Sequence, residues 1–510
     1  MSHDLEFSAA SSYDERTDSP TLSRREALTA LGAVAAITAL PGCEPTAPTS
    51  ASARGLDEPL YYSTVRALAQ AIRGREVSSE TVVQACLDRI DEVNGDLNAV
   101  FQIQSEAALT RAREADAALA RGEVWGELHG VPMTIKDSLD TAGIVSTGGT
   151  QGRADFVPER DATVVSRLRN QGAILLGKTN TPEFTLSFET DNLVYGMTNN
   201  PFDLNRSPGG SSGGAAATVA AGGTAFDIGS DYGGSIRLPS HFCGIAGIKP
   251  SAGRVPRTGH IYPFGGVLDS TQQIGPLARS VDDLALLLRL IAGPDDIDPG
   301  VAPLQWYNPE AVDLSSLRVS FHTDNGILTP TAETARTVED VARRLVSVVA
   351  SVEEARPTSI EQTSDLIALY FWDGGAAVRR LQRDAGTTES ALQRPEAILN
   401  AVELDALITQ WYSFRSSMLL FMADYDAIVC PVNATPARLH GPDMDDLSGF
   451  TYTFTYNLTG WPGAVVRAGT SPEGLPIGVQ IVARPGREDV ALAIAKRVES
   501  DFGGYQRPDL

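Results

Sequence analysis

Two glycine–serine clusters decide how this chain is interpreted: Gly209-Gly210-Ser211-Ser212-Gly213-Gly214 and Asp231-Tyr232-Gly233-Gly234-Ser235. A run of small residues, 215–223, separates them, and an earlier segment, Gly130-Val131-Pro132-Met133-Thr134-Ile135-Lys136-Asp137, supplies a lysine. A serine hydroxyl attacks a carbonyl carbon only when a base takes its proton. The three segments therefore predict one active site in which Lys136, rather than a histidine, activates a serine.

Composition limits the class of protein. The chain has 510 residues, of which 42% are hydrophobic, enough to bury a large core. Its formal net charge is -23 and it has no long basic run, so we expect a solvated acidic surface and no nucleic-acid partner. The cysteines are scattered without metal-ligand spacing, and we expect neither a metal nor a cofactor. They are Cys43, Cys86, Cys243 and Cys430.

The first 55 residues do not have the pattern of a folded domain. Arg24-Arg25 precedes a mildly apolar run, 27–40, that is too short to span a bilayer and ends in Leu40-Pro41-Gly42-Cys43. This order resembles a twin-arginine export signal that ends in a lipobox. We predict a signal over residues 1–42, lipidation of Cys43, and location in the periplasm or cell envelope. The alternative is a disordered cytosolic tail with an accidental cysteine.

The rest of the chain has the pattern of one α/β domain, which we place at residues 56–510, after a Pro-, Ala-, Ser- and Thr-rich linker at 43–55. Helical spacing and buried apolar runs alternate, as in an α/β sheet. Between 314 and 424 the pattern is mostly helical and suggests an insert. Strands are expected at 130–135, ending at Lys136, and at 173–176, 427–430 and 478–482, with helices at 82–93 and 215–221.

The motifs resemble those of the amidase signature family. They are Gly-Val-Pro-x-x-x-Lys-Asp at 130–137, Gly-Lys-Thr-Asn at 177–180, Pro-Gly-Gly-Ser-Ser-Gly-Gly at 208–214, Asp-Tyr-Gly-Gly-Ser-Ile-Arg at 231–237, Cys-Gly-Ile-Ala-Gly-Ile-Lys-Pro at 243–250 and Gly-Pro-Leu-Ala-Arg-Ser-Val at 275–281. The resemblance implies a single large domain with a mixed β-sheet flanked by helices on both faces. It also implies that Ser235 is the nucleophile, that Ser211 is the bridging serine after a cis peptide bond, and that Lys136 is the base.

Physical chemistry supports these roles. A lysine accepts a proton only when it is neutral, and burial lowers its pKa. Glycines leave backbone N–H groups open to a tetrahedral intermediate, so we expect an oxyanion hole at residues 232–235, that is, the N–H groups of Tyr232, Gly233, Gly234 and Ser235. Asp231 and Arg237 are expected to hold this loop through charge-assisted hydrogen bonds. Tyr232 stands where the family more often has a smaller residue.

The function predicted is that of a serine amidase acting on linear amides. It would hydrolyse a carboxamide or N-acyl amide to an acid plus an amine or ammonia through an acyl-enzyme. We expect a small-molecule or peptide-like substrate, a possible homodimer, and membrane contact only through Cys43. The alternatives are an amidotransferase-type subunit of a larger complex, against which the export signal argues, or an inactive binding scaffold.

Two alternatives concern single motifs. A nucleophile elbow of the α/β-hydrolase type, with an esterase activity based on Ser211, would need a strand before the serine, and Pro208 disfavours one. A phosphate-binding loop would need the Gly-Lys-Ser/Thr ending that residues 209–214 lack. His241 and His129 are expected to be packing residues, because no motif places an acid beside either.

Overall fold

The computed structural model describes residues 56–57, 59–392, 398–441 and 446–510. The predicted signal at 1–42, with Cys43, and the linker at 43–55 lie outside the described residues. Within the described part of the chain the residues form one compact unit. No described helix is long and apolar enough to cross a membrane.

An eleven-stranded sheet runs through the described residues. The strands are β1 (Val100–Phe101), β2 (Pro132–Lys136), β3 (Ile174–Thr179), β4 (Phe226–Asp231), β5 (Ala246–Lys249), β6 (Gln273–Ala278), β7 (Arg318–Phe321), β8 (Ser351–Glu354), β9 (Ala427–Pro431), β10 (Gly463–Thr470) and β11 (Pro476–Ala483). Their order in the sheet is β1-β3-β2-β4-β6-β5-β10-β11-β9-β7-β8. The sheet is mixed, since β2 is parallel to both β3 and β4 whereas β4, β6, β5 and β10 pair antiparallel.

Thirteen α-helices flank this sheet in the described residues. They are α1 (Val65–Arg73), α2 (Ser79–Leu97), α3 (Ser105–Ala120), α4 (Thr163–Asn170), α5 (Gly213–Ala221), α6 (Arg237–Phe242), α7 (Val281–Ile291), α8 (Ala332–Leu345), α9 (Thr363–Leu366), α10 (Ala376–Ala385), α11 (Ala401–Phe421), α12 (Thr451–Leu458) and α13 (Glu488–Phe502). The helix predicted from residues 82–93 is α2. Ser78 caps it by accepting a hydrogen bond from the Thr81 N–H at 3.0 Å.

Both faces of the sheet are covered. Side chains of a strand point alternately to opposite faces. On β3, Leu175 packs in the main core with α4, α7 and α13, whereas Ile174 and Leu176 pack in a second core with α2, α3 and α5. On β9, Val429 belongs to the main core and Ile428 to a cluster with α11 and α12. The predicted fold class, a single large α/β domain with helices on both faces, is confirmed.

The prediction that residues 314–424 are mostly helical was incomplete. This region contributes β7 and β8, which extend the sheet at one edge. Strand β7 pairs in parallel with both β9 and β8. The four-residue β8 is half-buried or exposed, so it lacks the continuous apolar run that marked the inner strands in the sequence. A short edge strand of this kind leaves little signal in a single sequence.

The cysteines in the described residues are buried and unpaired. Cys86 is on the buried face of α2, and Cys243 and Cys430 are equally inaccessible. Burial raises the pKa of the Cys86 thiol to about 12 and that of Cys430 to about 11.

Candidate active site

Strand β2 delivers Lys136 to the site. Met133 and Ile135 point into the main core, so the alternation of side chains places Thr134 and Lys136 on the opposite face. The Lys136 amine is fully buried. Burial holds its pKa well below the ordinary lysine value, although the charges of Asp231 and Asp227 oppose this effect. A lysine in this state is able to act as a base.

Four oxygen atoms surround the Lys136 amine. Its Nζ lies 2.6 Å from Ser211 Oγ, 2.9 Å from Ser212 Oγ and 3.1 Å from Ser230 Oγ, and 3.5 Å from the Ser230 carbonyl. Ser211 is the closest of these, in agreement with the bridging role that the sequence predicted for it. Ser212 and Ser230 were not singled out by the sequence, although both belong to the quoted motifs or directly precede them.

Asp227 anchors the lysine strand from the neighbouring β4. Register pairs Thr134 with Asp227 across β2 and β4. The Asp227 carboxylate accepts hydrogen bonds from the Thr134 hydroxyl at 2.6 Å, the Thr179 hydroxyl at 3.0 Å and the Lys136 N–H at 3.1 Å. Burial outweighs these donors and raises the pKa of Asp227 to about 6. The carboxylate thus fixes the backbone from which the Lys136 side chain extends.

Helix α5 holds the bridging serine against the nucleophile loop. The Gly210–Ser211 peptide bond is cis, as predicted. Ser212 is the residue before α5, and its N–H donates to the Ser235 carbonyl at 3.2 Å, which joins the two serine segments. A Cβ on Gly214 would meet the Asn180 backbone at 2.4 Å, so glycine is needed there for the close approach.

The nucleophile loop follows β4 and is folded around Asp231. The Asp231 carboxylate accepts from the Gly234 N–H at 2.9 Å and from the Ile236 N–H at 3.1 Å. The Gly234 N–H is thus bonded to Asp231 in this structure, and its role as an oxyanion donor stays a prediction. Ser235 is buried, as is Gly233, where a Cβ would meet the Phe454 ring at 2.6 Å. No hydrogen bond joins Ser235 Oγ to Ser211 Oγ among the described residues.

Arg237 and Asp231 form a fully buried ion pair. Arg237 Nε donates to Asp231 Oδ2 and Nη2 to Oδ1, each at 3.0 Å. Burial alone would raise the pKa of Asp231, but the Arg237 guanidinium holds it well below its usual range. Arg237 Nη1 also donates to Gln480 Oε1 at 2.7 Å and to the Thr453 carbonyl at 3.1 Å. The pair ties the nucleophile loop to α12 and β11, consistent with the holding role expected of it.

The histidines that the sequence set aside are packing residues. The His241 ring takes the Gly478 N–H on Nδ1 at 2.8 Å and lies 3.0 Å from the Thr435 carbonyl through Nε2. His129 lies 3.1 Å from the Ala115 carbonyl. The alternative of a nucleophile elbow at Ser211 is wrong, because residues 207–212 form an irregular segment rather than the end of a strand.

His260 is a site residue that sequence reasoning missed. Its Nε2 lies 2.9 Å from Ser230 Oγ, the hydroxyl that also contacts the Lys136 amine. The residue is in an irregular segment between β5 and β6, where neither periodicity nor a catalytic motif drew attention to it. Only the Gly259-His260 dipeptide in a glycine- and proline-rich stretch distinguished this position in the sequence.

A cavity of about 360 Å³ adjoins the nucleophile loop. Its wall includes Tyr232, Tyr262 and Tyr370, together with Trp372 and Arg380. The Tyr370 hydroxyl donates to the Tyr232 carbonyl at 2.8 Å, and the two rings meet edge to face with centroids 4.9 Å apart. The tyrosine that is unusual for the family thus shapes the cavity. Among the described side chains, no three His, Cys, Asp or Glu residues converge where a metal ion could bind.

Comparison with known proteins assigns this fold to a defined class, that of the amidase signature enzymes. The amidase family model matches residues 81–492. The chain therefore belongs to the amidase signature family, whose members are amidohydrolases or amidotransferases.

Individual relatives include both kinds of enzyme. A glutamyl-tRNA(Gln) amidotransferase subunit from Moorella thermoacetica is 36% identical over 88% of this chain and 99% of its own. The solved structure of 6-aminohexanoate cyclic dimer hydrolase is 27% identical, with a TM-score of 0.76, over 88% of this chain and 99% of its own. The structure of the corresponding amidotransferase subunit from Thermotoga maritima is 25% identical, with a TM-score of 0.70, over 84% and 94%.

These relatives overturn the prediction about partners. We expected a small-molecule or peptide-like amide as substrate, no nucleic acid, membrane contact only through Cys43, and a possible homodimer. Several relatives that are 34–36% identical over nearly their whole length are named as one subunit of a glutamyl-tRNA amidotransferase. The acidic net charge was a poor guide to partners. It belongs to one chain, whereas in an assembly of several chains another chain with a different charge can bind the nucleic acid.

Proposed function

We propose that this chain cleaves a carboxamide C–N bond through an acyl-enzyme on Ser235. The observation that carries the proposal is the position of the Lys136 amine, which is buried, has a lowered pKa and lies 2.6 Å from Ser211 Oγ. The residue after Ser211, Ser212, is hydrogen-bonded through its N–H to the carbonyl of Ser235. His129 and His241 are not comparable candidates for the base, because the ring of each is hydrogen-bonded to backbone groups.

The proposed reaction has two halves. Ser235 Oγ attacks the amide carbonyl carbon while its proton passes to Ser211 Oγ, and the proton of Ser211 passes to Lys136 Nζ. Backbone N–H groups of the nucleophile loop, those of Gly233 and Ser235 foremost, stabilise the oxyanion. The ammonium of Lys136 then returns the proton through Ser211 to the departing nitrogen, which leaves Ser235 acylated. Water then attacks the acyl carbon, the ester bond to Ser235 Oγ breaks, and a proton from the water passes through Lys136 and Ser211 to Ser235 Oγ, which releases the acid and restores the enzyme.

For the fate of the released nitrogen, the relatives favour transfer within a larger assembly. The proteins that are 34–36% identical are amidotransferase subunits, whereas the hydrolase structure is 27% identical. The cavity suits an amino-acid amide in one respect, since Arg380 and Asp373 line it and offer a charge of each sign. Hydrolysis by the chain alone is the second candidate, which the aromatic wall of the same cavity supports.

The first experiment measures turnover of the purified chain. Ammonia release from glutamine is compared with release of 4-nitroaniline from butyryl 4-nitroanilide, for wild type and Ser235→Ala. We expect Ser235→Ala to abolish both signals while the unfolding midpoint stays unchanged, because only one oxygen is lost. An alkyl fluorophosphonate should label Ser235. Turnover that survives in Ser235→Ala, or labelling of Ser211 in its place, would refute the proposal.

We also propose that residues 1–42 direct export and that Cys43 is lipidated. Support comes from the order of the twin arginines, the apolar run and the Leu-Pro-Gly-Cys ending. This proposal bears on the choice between transfer within an assembly and hydrolysis by the chain alone. An exported chain is separated from tRNA and would have to act on an amide outside the cytoplasm.

A further inference from the structure

The hydroxyl of Ser230 bridges the lysine and a buried histidine. Ser230 Oγ lies 3.1 Å from Lys136 Nζ and 2.9 Å from His260 Nε2. His260 is only 8% exposed, so water does not compete freely for its ring. The three groups form a continuous chain of hydrogen bonds that leads away from Ser211 and Ser235.

The partners of His260 indicate which ring nitrogen carries the proton. Nδ1 accepts the Tyr262 N–H at 3.0 Å and lies 2.8 Å from Gln272 Nε2, an amide donor, and 3.2 Å from the Tyr262 carbonyl. Two donors directed at Nδ1 require a lone pair there, which leaves the proton of the neutral ring on Nε2. Nε2–H therefore donates to Ser230 Oγ.

The hydroxyl protons then set the orientation of the amine. Ser212 Oγ donates its own proton to the Ser230 carbonyl at 3.3 Å, so toward Lys136 it acts as an acceptor. A neutral amine has two N–H groups and one lone pair. If its N–H groups are given to Ser212 and Ser230, the lone pair faces the remaining neighbour, Ser211 Oγ, which is the closest at 2.6 Å.

We propose that His260 is a positioning residue for the base. By donating to Ser230 Oγ, it keeps one lone pair of that oxygen occupied and the other available to one N–H of Lys136. The lone pair of Lys136 is thereby directed at Ser211. This inference rests on the proposed function, because orienting the amine has a consequence only if Lys136 takes the proton that Ser211 relays.

The charges around the histidine agree with a neutral ring. Burial, and after it the charge of Lys136, hold the pKa of His260 at about 3, while Arg257 on the same segment and Arg153 also disfavour a second proton. The carboxylates near the lysine, Asp227 and Asp231, are both on β4. The low pKa of His260 keeps its ring neutral at pH 7, as a donor role for Nε2–H requires.

The test compares variants that keep or remove the donor. His260→Gln places an amide N–H near the position of Nε2, His260→Leu removes it, and Ser230→Ala removes the oxygen in between. His129→Gln is the matched control, a buried histidine outside the site. The readouts are the rate constant for labelling of Ser235 by an alkyl fluorophosphonate, the pH profile of that rate, and kcat and KM for butyryl 4-nitroanilide. Melting temperatures report folding.

We expect His260→Leu to lower the labelling rate and kcat about 10–100-fold, the usual effect of losing a group that orients a catalytic residue, with KM within about twofold. Its acidic limb should move to higher pH, because the freed lone pair of Ser230 stabilises the charged lysine. His260→Gln should stay within about threefold of wild type, as should His129→Gln. The double variant His260→Leu/Ser230→Ala should be no slower than the slower single variant.

The inference fails if His260→Gln is as slow as His260→Leu, if the acidic limb does not move, or if the losses of the two single variants multiply. If His260→Leu does not fold, the inference is decided by the labelling rate of His260→Gln and by the pH profile of the labelling rate of Ser230→Ala. Failure of the proposed function has a separate signature, since wild type would then neither label at Ser235 nor turn over either amide.

Discussion

Replacing Arg237 by methionine isolates the electrostatic support of the nucleophile loop. Arg237 makes two hydrogen bonds of 3.0 Å to Asp231, and both side chains are fully buried. Methionine has a similar length but no donor, so Asp231 keeps its backbone donors and an amide N–H of Asn457 at 2.8 Å and loses its counter-charge. The variant therefore leaves an uncompensated carboxylate in the interior.

The magnitude follows from the bonds removed. Hydrogen bonds to charged groups contribute about 1.5–3 kcal/mol each, so the two to Asp231 alone amount to roughly 3–6 kcal/mol, and the bonds from Arg237 Nη1 to Gln480 and Thr453 are lost as well. Removing one partner of a buried pair costs about 3–5 kcal/mol by independent measurements. We expect the free energy of unfolding at pH 7, measured by urea denaturation with tryptophan fluorescence, to fall by about 4 kcal/mol.

The matched control removes the stranded charge. Asp231→Asn in the Arg237→Met background should recover part of the loss, because a neutral amide is cheaper to bury than an unpaired carboxylate. The pH dependence has a fixed sign. The native pKa of Asp231 is lowered, so its stabilising effect is present above the ordinary carboxyl pKa, about 3.9. The deficit of the single variant should widen as the pH rises through that value. A loss below about 1 kcal/mol, or a double variant less stable than the single one, would refute the reasoning.

Three further results are expected. Lys136→Ala should lower kcat by about 10²–10⁴-fold and remove the acidic limb of the pH–rate profile, which in wild type falls as the neutral lysine is protonated. Burial raises the pKa of Glu499 from 4.5 to about 7, so wild type should lose about 2 kcal/mol relative to Glu499→Gln between pH 4.5 and 7, visible in melting temperatures. Lysines at Arg24 and Arg25 should retain the precursor in the cytoplasm, and Cys43→Ser should abolish salt-resistant membrane binding; fractionation tests both, and unchanged distributions contradict the export proposal.

Much of the site could be predicted because Lys136 ends a regular strand and the two serines lie in loops with distinctive glycine-rich motifs. Lys136 ends an apolar run, so the position of its strand was readable, and alternation along that strand puts the amine on one face. The glycines around Ser211 and Ser235 indicated that backbone segments come close together there, and the structure shows this where Gly214 approaches the backbone of Asn180.

What the sequence hid are contacts that depend on tertiary geometry. His260 reaches Ser230 from an irregular segment thirty residues further along the chain, and irregular segments carry no periodicity that fixes a side chain in space. The engagement of the Gly234 N–H by Asp231 was hidden for the same reason, since a motif shows which donors exist and not where they point. The strands β7 and β8 have four residues each, and β8 is the edge strand of the sheet with β7 next to it, where propensity decides little.

The three buried thiols described above can serve as probes of local unfolding. A thiol reagent reacts with thiolate, and the high pKa values of Cys86 and Cys430 suppress that form as burial suppresses access. Cys86 is on α2, Cys243 follows α6, and Cys430 is on β9. Modification of each should therefore occur only during excursions that expose its own region. The three rates, separated by mass spectrometry of the peptides, would rank the local opening free energies of three parts of the fold without any introduced label.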